Sequence, residues 1–147
     1  DNRMENFDIN TGQYIHLHAE KGGSLLGLKL GGISYKKWHI NTATFYEVSK
    51  RTTLGIRGFI GMYFKEDQTI QTFDSEAFYL GGANTVRGYQ DLSFVGNKRI
   101  LSNIEYRLRV ANDIHTILFY DIGNVFNDSI TFDLSNYHSG MVLGLGM

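Results

Sequence analysis

Apolar residues recur at every second position over most of this chain, the period of a strand with two unlike faces. The clearest run is Thr53 to Phe64. Leu54, Ile56, Ile60, Met62 and Phe64 share one side, broken only by Gly58, while Thr53, Gly55, Arg57, Phe59, Gly61 and Tyr63 share the other. Five further runs follow the same rule. In Gln13 to Lys21, Ile15, Leu17 and Ala19 oppose Tyr14, His16, His18 and Glu20. In Tyr35 to Val48, Trp38, Ile40, Thr42, Thr44, Tyr46 and Val48 oppose His39, Asn41, Ala43, Phe45 and Glu47. Lys98 to Val110 sets Ile104, Tyr106, Leu108 and Val110 against Asn103, Glu105, Arg107 and Arg109. Ile114 to Phe126 is the fifth strand. A sixth begins near His138, with Met141, Leu143, Leu145 and Met147 facing away from Gly140, Val142, Gly144 and Gly146.

Composition narrows the class without changing this picture. The chain has 147 residues, within the size of one domain, with 17 glycines, no proline and 14% aromatic residues. Disordered chains are poor in aromatics, so these numbers point to an ordered β-protein with close backbone approaches. The formal net charge of −1 gives no sign of a nucleic-acid partner. Absence of cysteine excludes disulfides and thiolate metal sites, and suits a periplasm-facing protein. No apolar run of about 18 residues predicts a membrane helix. The chain opens on Asp1-Asn2-Arg3, without a signal peptide, and stops at Met147 inside an alternating segment. Both ends are therefore expected to be cuts in a longer polypeptide.

Alternation alone does not say which face is wet, since a soluble barrel such as a lipocalin alternates too. Three features favour lipid. The strands are about 9–13 residues long, as tilted membrane crossings require, against about 5–6 in soluble sheets. Connections alternate in length: Ser49-Thr52 and Ala111-Asp113 are tight, whereas Gly22-Ser34, Lys65-Asn97 and Asn127-Tyr137 are long, as in transmembrane barrels. The glycine-rich Gly22 to Ser34 reads equally as a strand extension or a loop. Finally, the polar face carries His16, His18, Glu20, Arg57, Glu105, Arg107, Arg109 and Asp121, which suits a hydrated lumen lined with paired ions. Six strands cannot close such a lumen, and open edges in lipid cost several kcal/mol per unpaired backbone group, so further strands are expected from elsewhere.

One stretch stands outside the pattern: Phe78-Tyr79-Leu80-Gly81-Gly82-Ala83-Asn84-Thr85-Val86-Arg87-Gly88-Tyr89. Adjacent glycines permit a sharp turn at positive φ, and an aromatic lead-in delivers one arginine between Val86 and Gly88. Gly81 through Tyr89 resembles the Val-Arg-Gly-Phe/Tyr signature of the outer-membrane β-barrel assembly superfamily, the BamA/TamA-like surface antigens. Phe119-x-Asp121-x-Gly123 resembles that family's second motif, on the barrel wall. Ser102-Asn103-Ile104-Glu105-Tyr106 is similar to the strand that supplies an inward glutamate, and Asp1 to Gly12 resembles the turn before a barrel strand. The resemblance covers nearly the whole chain.

That resemblance implies an all-β fold: an antiparallel transmembrane β-barrel in the bacterial outer membrane. Residues 1–147 would be part of one barrel domain, its ninth to fourteenth strands out of roughly sixteen. The Arg87 stretch would be a surface loop folded back into the lumen. The seam strands and periplasmic repeat domains would lie outside this chain. It implies assembly or insertion of other outer-membrane barrels, without cofactor or nucleotide, in contact with outer-membrane lipid, unfolded client barrels and accessory assembly lipoproteins. Tyr89 reaches the next strand by Asn97 without a large insertion. That leaves two relatives sharing both motifs open: polypeptide-translocating pores and barrels anchoring patatin-type phospholipases.

Parity supplies a site independently of the family. Glu105 shares a face with Arg107 and Arg109, and Asp121 shares one with Gly123, whose missing side chain leaves room for an inserted loop. Arg87 is therefore expected to lock onto Asp121, with Glu105 as second acceptor, because a guanidinium fork matches two carboxylate oxygens as lysine cannot. Gly81 and Gly82 are the expected pivot, with Tyr89 packing on the inner wall. Arg57, Arg107 and Arg109 read as lumen-lining charges. His16 and His18, at i and i+2, have metal-compatible spacing but no evident third ligand, so they read as a plain lumenal pair. No nucleophile triad or phosphate loop appears, and the chain is not expected to be an enzyme.

Overall fold

A computed structural model describes residues 11–22, 34–65, 76–111, 114–127 and 136–146. The fold is all-β. Among the described residues, eight strands run in order: β1 (Gly12–Gly22), β2 (Tyr35–Ser49), β3 (Thr52–Lys65), β4 (Phe78–Leu80), β5 (Phe94–Gly96), β6 (Lys98–Ala111), β7 (Ile114–Phe126) and β8 (His138–Gly146). The six long strands form one antiparallel sheet in the order β1-β2-β3-β6-β7-β8, and β4 and β5 form a separate hairpin. Chain neighbours are thus sheet neighbours, as in an up-and-down barrel wall, except where the hairpin intervenes between β3 and β6.

Register follows the hydrophobic pattern, because a slip of one residue would turn every apolar side chain to the opposite face. One inner row aligns Tyr14, Ala43, Arg57, Asn103, Asp121 and Gly140 across the six strands. The next aligns Gly12, Phe45, Gly55, Glu105, Phe119 and Val142. The opposite face is apolar and open: Leu17 is 70% exposed, Met141 70%, and Ile56, Phe64, Ile104 and Leu118 are exposed as well. Among the described residues this face encloses no core, as expected of a wall turned to lipid.

The tight connections lie at one end of the sheet. Ser49 pairs with Thr52 in the β2–β3 register, and the Ser49 hydroxyl donates to Thr52 Oγ1 at 3.0 Å. Ala111 pairs with Ile114 across the β6–β7 turn, whose residues 112–113 lie outside the described set. Most of Gly22–Ser34 and Asn127–Tyr137, and the whole of the opening Asp1-to-Gly12 turn up to residue 10, also lie outside it. The Lys65–Asn97 connection differs from a plain loop, since it contains β4 and β5, paired Phe78↔Gly96 to Leu80↔Phe94. Strands of three residues are too short for alternation to betray them.

The hairpin lies against β6 and β7 on the charged face. There the molecule has its dry core: Leu80, Val86 and Leu101 are buried, with Phe59, Tyr89, Phe94 and Val125 around them. The inner face is therefore not uniformly hydrated. Phe59, Leu101 and Val125 make an apolar floor in its middle, and the loop packs onto it.

Candidate functional site: the loop clasped to the inner wall

The loop is built by glycine geometry before any side chain acts. Gly81, Gly82 and Gly88 have φ of 110°, 95° and 97°, values that side-chain-bearing residues rarely adopt. The Gly81 N–H donates to Thr85 Oγ1, whose hydroxyl donates back to the Gly81 carbonyl, both at 2.8 Å. Gly82 N–H donates to the Tyr89 carbonyl at 3.1 Å, closing the turn at its base. The chain thereby reverses within a few residues and presents Val86 and Arg87 to the wall.

Arg87 meets both carboxylates. Its Nε donates to Asp121 Oδ2 and its Nη2 to Asp121 Oδ1, each at 2.7 Å, a bidentate fork. Nη1 donates to Glu105 Oε1 at 2.6 Å. The backbone N–H of Arg87 adds a bond to Asp121 Oδ2 at 3.0 Å, so main chain and side chain grip the same carboxylate. The guanidinium carbon also lies 3.4 Å from the centre of the Phe119 ring, a cation–π contact beneath the fork. Asp121 is fully buried, whereas the Arg87 side chain is 21% exposed.

Second partners complete the arrangement. Asn103, opposite Asp121 in the register, donates Nδ2 to Asp121 Oδ1 at 2.8 Å and to the Thr85 carbonyl at 2.7 Å. Arg107 donates to Glu105 Oε2 through Nη2 at 2.7 Å, so Glu105 bridges two guanidiniums. Where β7 and β8 pass under the loop, glycine is required for space. A Cβ on Gly140 would fall on the Arg87 carbonyl, and one on Gly123 would sit 3.0 Å from Leu80 Cδ1. Tyr89 packs edge-on against Phe94 and against His138 of β8, with ring centres 5.4 and 5.6 Å apart.

The hairpin root has a separate anchor that sequence reasoning missed. Arg99 of β6 donates Nη1 to the Tyr79 carbonyl at 2.8 Å, and its guanidinium carbon lies 3.8 Å over the Phe59 ring and 5.5 Å from that of Phe78. Lys37 forms an ion pair with Glu76 at 3.1 Å just before β4. Arg99 falls on the same parity as Glu105 and Arg107, but nothing in its neighbours signals that its acceptor is a main-chain carbonyl. Asn103 was likewise visible on the inner face, though not its bond to the loop.

Arg107 is thus an ion-pair partner, and Arg57 and Arg109 stand on the same face in other rows. His18 stacks on His16 and on a third ring, His39, which the register puts opposite His18, while His16 and His39 are tilted; centroids are 4.9 to 6.4 Å apart. That neighbour belongs to the adjacent strand and needs the register to be seen. No group of three His, Cys, Asp or Glu side chains among the described residues is arranged to hold a metal ion.

The arrangement can hold the loop on the wall: four donors from one loop residue converge on two carboxylates of two adjacent strands. Comparison with known families gives a match of residues 1–147, the full length, to the Omp85 superfamily domain. No curated protein matches the chain.

Proposed function

The chain belongs to the Omp85 superfamily of bacterial outer-membrane assembly and translocation proteins, and on that premise we propose that it forms part of an insertase barrel. Its work is to help other β-barrels fold into the outer membrane. The observation that carries this reading is the Arg87 clasp over a dry core. Lifting the loop from the wall would expose Leu80 and Val86, at about 1.5–3 kcal/mol each, and break the fork between Arg87 and Asp121. A loop so attached is a brace for the wall rather than a plug that swings aside. That favours work at a strand seam over passage through the lumen.

The physical basis is strand addition: an unpaired edge offers a row of N–H and C=O groups that recruits a further strand. A braced wall holds its register while a seam elsewhere in the barrel opens. The partners of this activity are outer-membrane lipid, unfolded client barrels and accessory assembly lipoproteins, and no cofactor or bond-making residue is needed. The test uses the full-length protein in liposomes and follows the folding rate of a client barrel. The wild type should accelerate folding and Arg87→Ala should lose most of that acceleration. Ion conductance in planar bilayers without any client acceleration would assign the protein to translocation instead.

A further inference from the structure

Period-two parity sorts the charges of the wall by face, and most of them lie on the inner one. Among the described residues the outward positions of the six long strands carry three charged side chains, Lys21, Lys36 and Lys98. All three are cations, and all stand at the end of the sheet away from the tight turns. Lys21 is near the end of β1, and Lys36 and Lys98 are at the starts of β2 and β6. At the tight-turn end the outward positions are apolar instead, with Val48, Leu54, Leu108 and Val110, and the basic Lys50 and Arg51 lie in the turn itself.

The register sets two of these cations side by side. Lys21 pairs directly with Lys36 across β1 and β2, whereas the preceding pair, Glu20 and Lys37 on the inner face, is of opposite sign. Like charges directly opposite destabilise a strand pair, which an anion held between them offsets. The described outward positions hold no acidic residue. Lys98 stands in the row of Trp38 and Met62, one row below Lys36 and Phe64. Two strand spacings and one row put it about 12 Å from Lys36. Lys21, Lys36 and Phe64 are exposed, and the next row down is Ile40, Ile60 and Ile100. Cations above an isoleucine wall fit an anion that carries hydrocarbon, because a soluble anion would leave the wall unused. Phosphate is a strong lysine partner, and the distance from Lys98 to the lysine pair calls for two phosphates on one headgroup.

We propose that this outward corner of the wall binds a diphosphorylated glycolipid of the outer leaflet, one phosphate on the Lys21–Lys36 pair and the other on Lys98, its acyl chains lying on Ile40, Ile60 and Ile100. The site rests on a wall that faces lipid and on long connections that lie at the outer surface. It holds whether the barrel inserts or translocates its partners, so the readout is lipid binding alone. The full-length protein in detergent micelles is titrated with fluorescent diphosphoryl lipid A, with its monophosphoryl form and with phosphatidylglycerol. Wild type should bind the diphosphoryl lipid about tenfold or more tightly than either, the scale of one charge-assisted hydrogen bond. Lys36→Gln combined with Lys98→Gln should abolish that preference. Lys36→Arg combined with Lys98→Arg should keep it, which guards against a loss caused by misfolding, and so should Lys50→Gln combined with Arg51→Gln in the tight turn. A preference that survives the paired glutamines at Lys36 and Lys98 overturns the proposal, as does equal binding of the two lipid A forms by the wild type. Loss of the preference in the turn variant overturns it too, since binding would then follow net charge. Phosphatidylglycerol bound as tightly as diphosphoryl lipid A overturns the glycolipid assignment in favour of anionic lipids at large.

Discussion

Arg87 and Asp121 are not equivalent partners. Asp121 is fully buried, while part of the Arg87 side chain reaches solvent and keeps Glu105 as a second acceptor. Arg87→Ala therefore strands a buried anion, at a cost of about 3–5 kcal/mol, whereas Asp121→Asn removes the buried charge and leaves Arg87 a carboxylate. Urea titration of the full-length protein in detergent micelles, read by heat-modifiable gel mobility, should rank Arg87→Ala as the more destabilised. Arg87→Lys should fall close to Arg87→Ala, since an ammonium cannot span both oxygens of Asp121 while reaching Glu105. At this scale the sequence was partly legible. Period-two parity puts Glu105 and Asp121 on one face, and two glycines plus an arginine mark the loop. The Phe119 ring under the guanidinium and the Asn103 bridge to Thr85 required the register, which alternation cannot supply across strands.

For the elements, the long strands follow from pattern and length. The β4–β5 hairpin does not, because three residues per strand carry no period and its pairing is secured by tertiary contacts. Its position depends on a second anchor away from Arg87, the Arg99 bond to the Tyr79 carbonyl between the Phe59 and Phe78 rings. Arg99→Leu should keep the Arg87 clasp yet loosen the hairpin root. Hydrogen exchange of the Phe78–Leu80 amides should rise about tenfold or more, with little change at Arg87, if the lost bond is worth about 1.5–3 kcal/mol. Equal exchange at both places would mean that loop and hairpin open as one unit. Gly140→Ala tests the approach from the other side: the new methyl falls on the Arg87 carbonyl, so the loop must shift and the clasp must weaken.

The whole molecule is a wall with one face for lipid and one for the lumen, and the loop converts part of the lumenal face into a core. Outward residues at mid-strand should then be sensitive to charge. Ile104→Arg places a guanidinium on the lipid side and should cost about 2–4 kcal/mol of folding into liposomes, the penalty for a cation near the bilayer midplane. β1 and β8 are the open edges of the six-stranded sheet of the described residues, and six strands are too few to close a hydrated lumen.

The central claim is that Arg87 and Asp121 act as a unit to hold the loop on the wall. A double-mutant cycle on the rate of limited proteolysis within residues 82–93, in the full-length protein in nanodiscs, measures that coupling. The account predicts that Arg87→Ala and Asp121→Ala each speed cleavage, and that the double variant is cut no faster than Arg87→Ala alone. Rates that multiply as if the two sites were independent, or a cleavage rate in Arg87→Ala equal to that of the wild type, would contradict it.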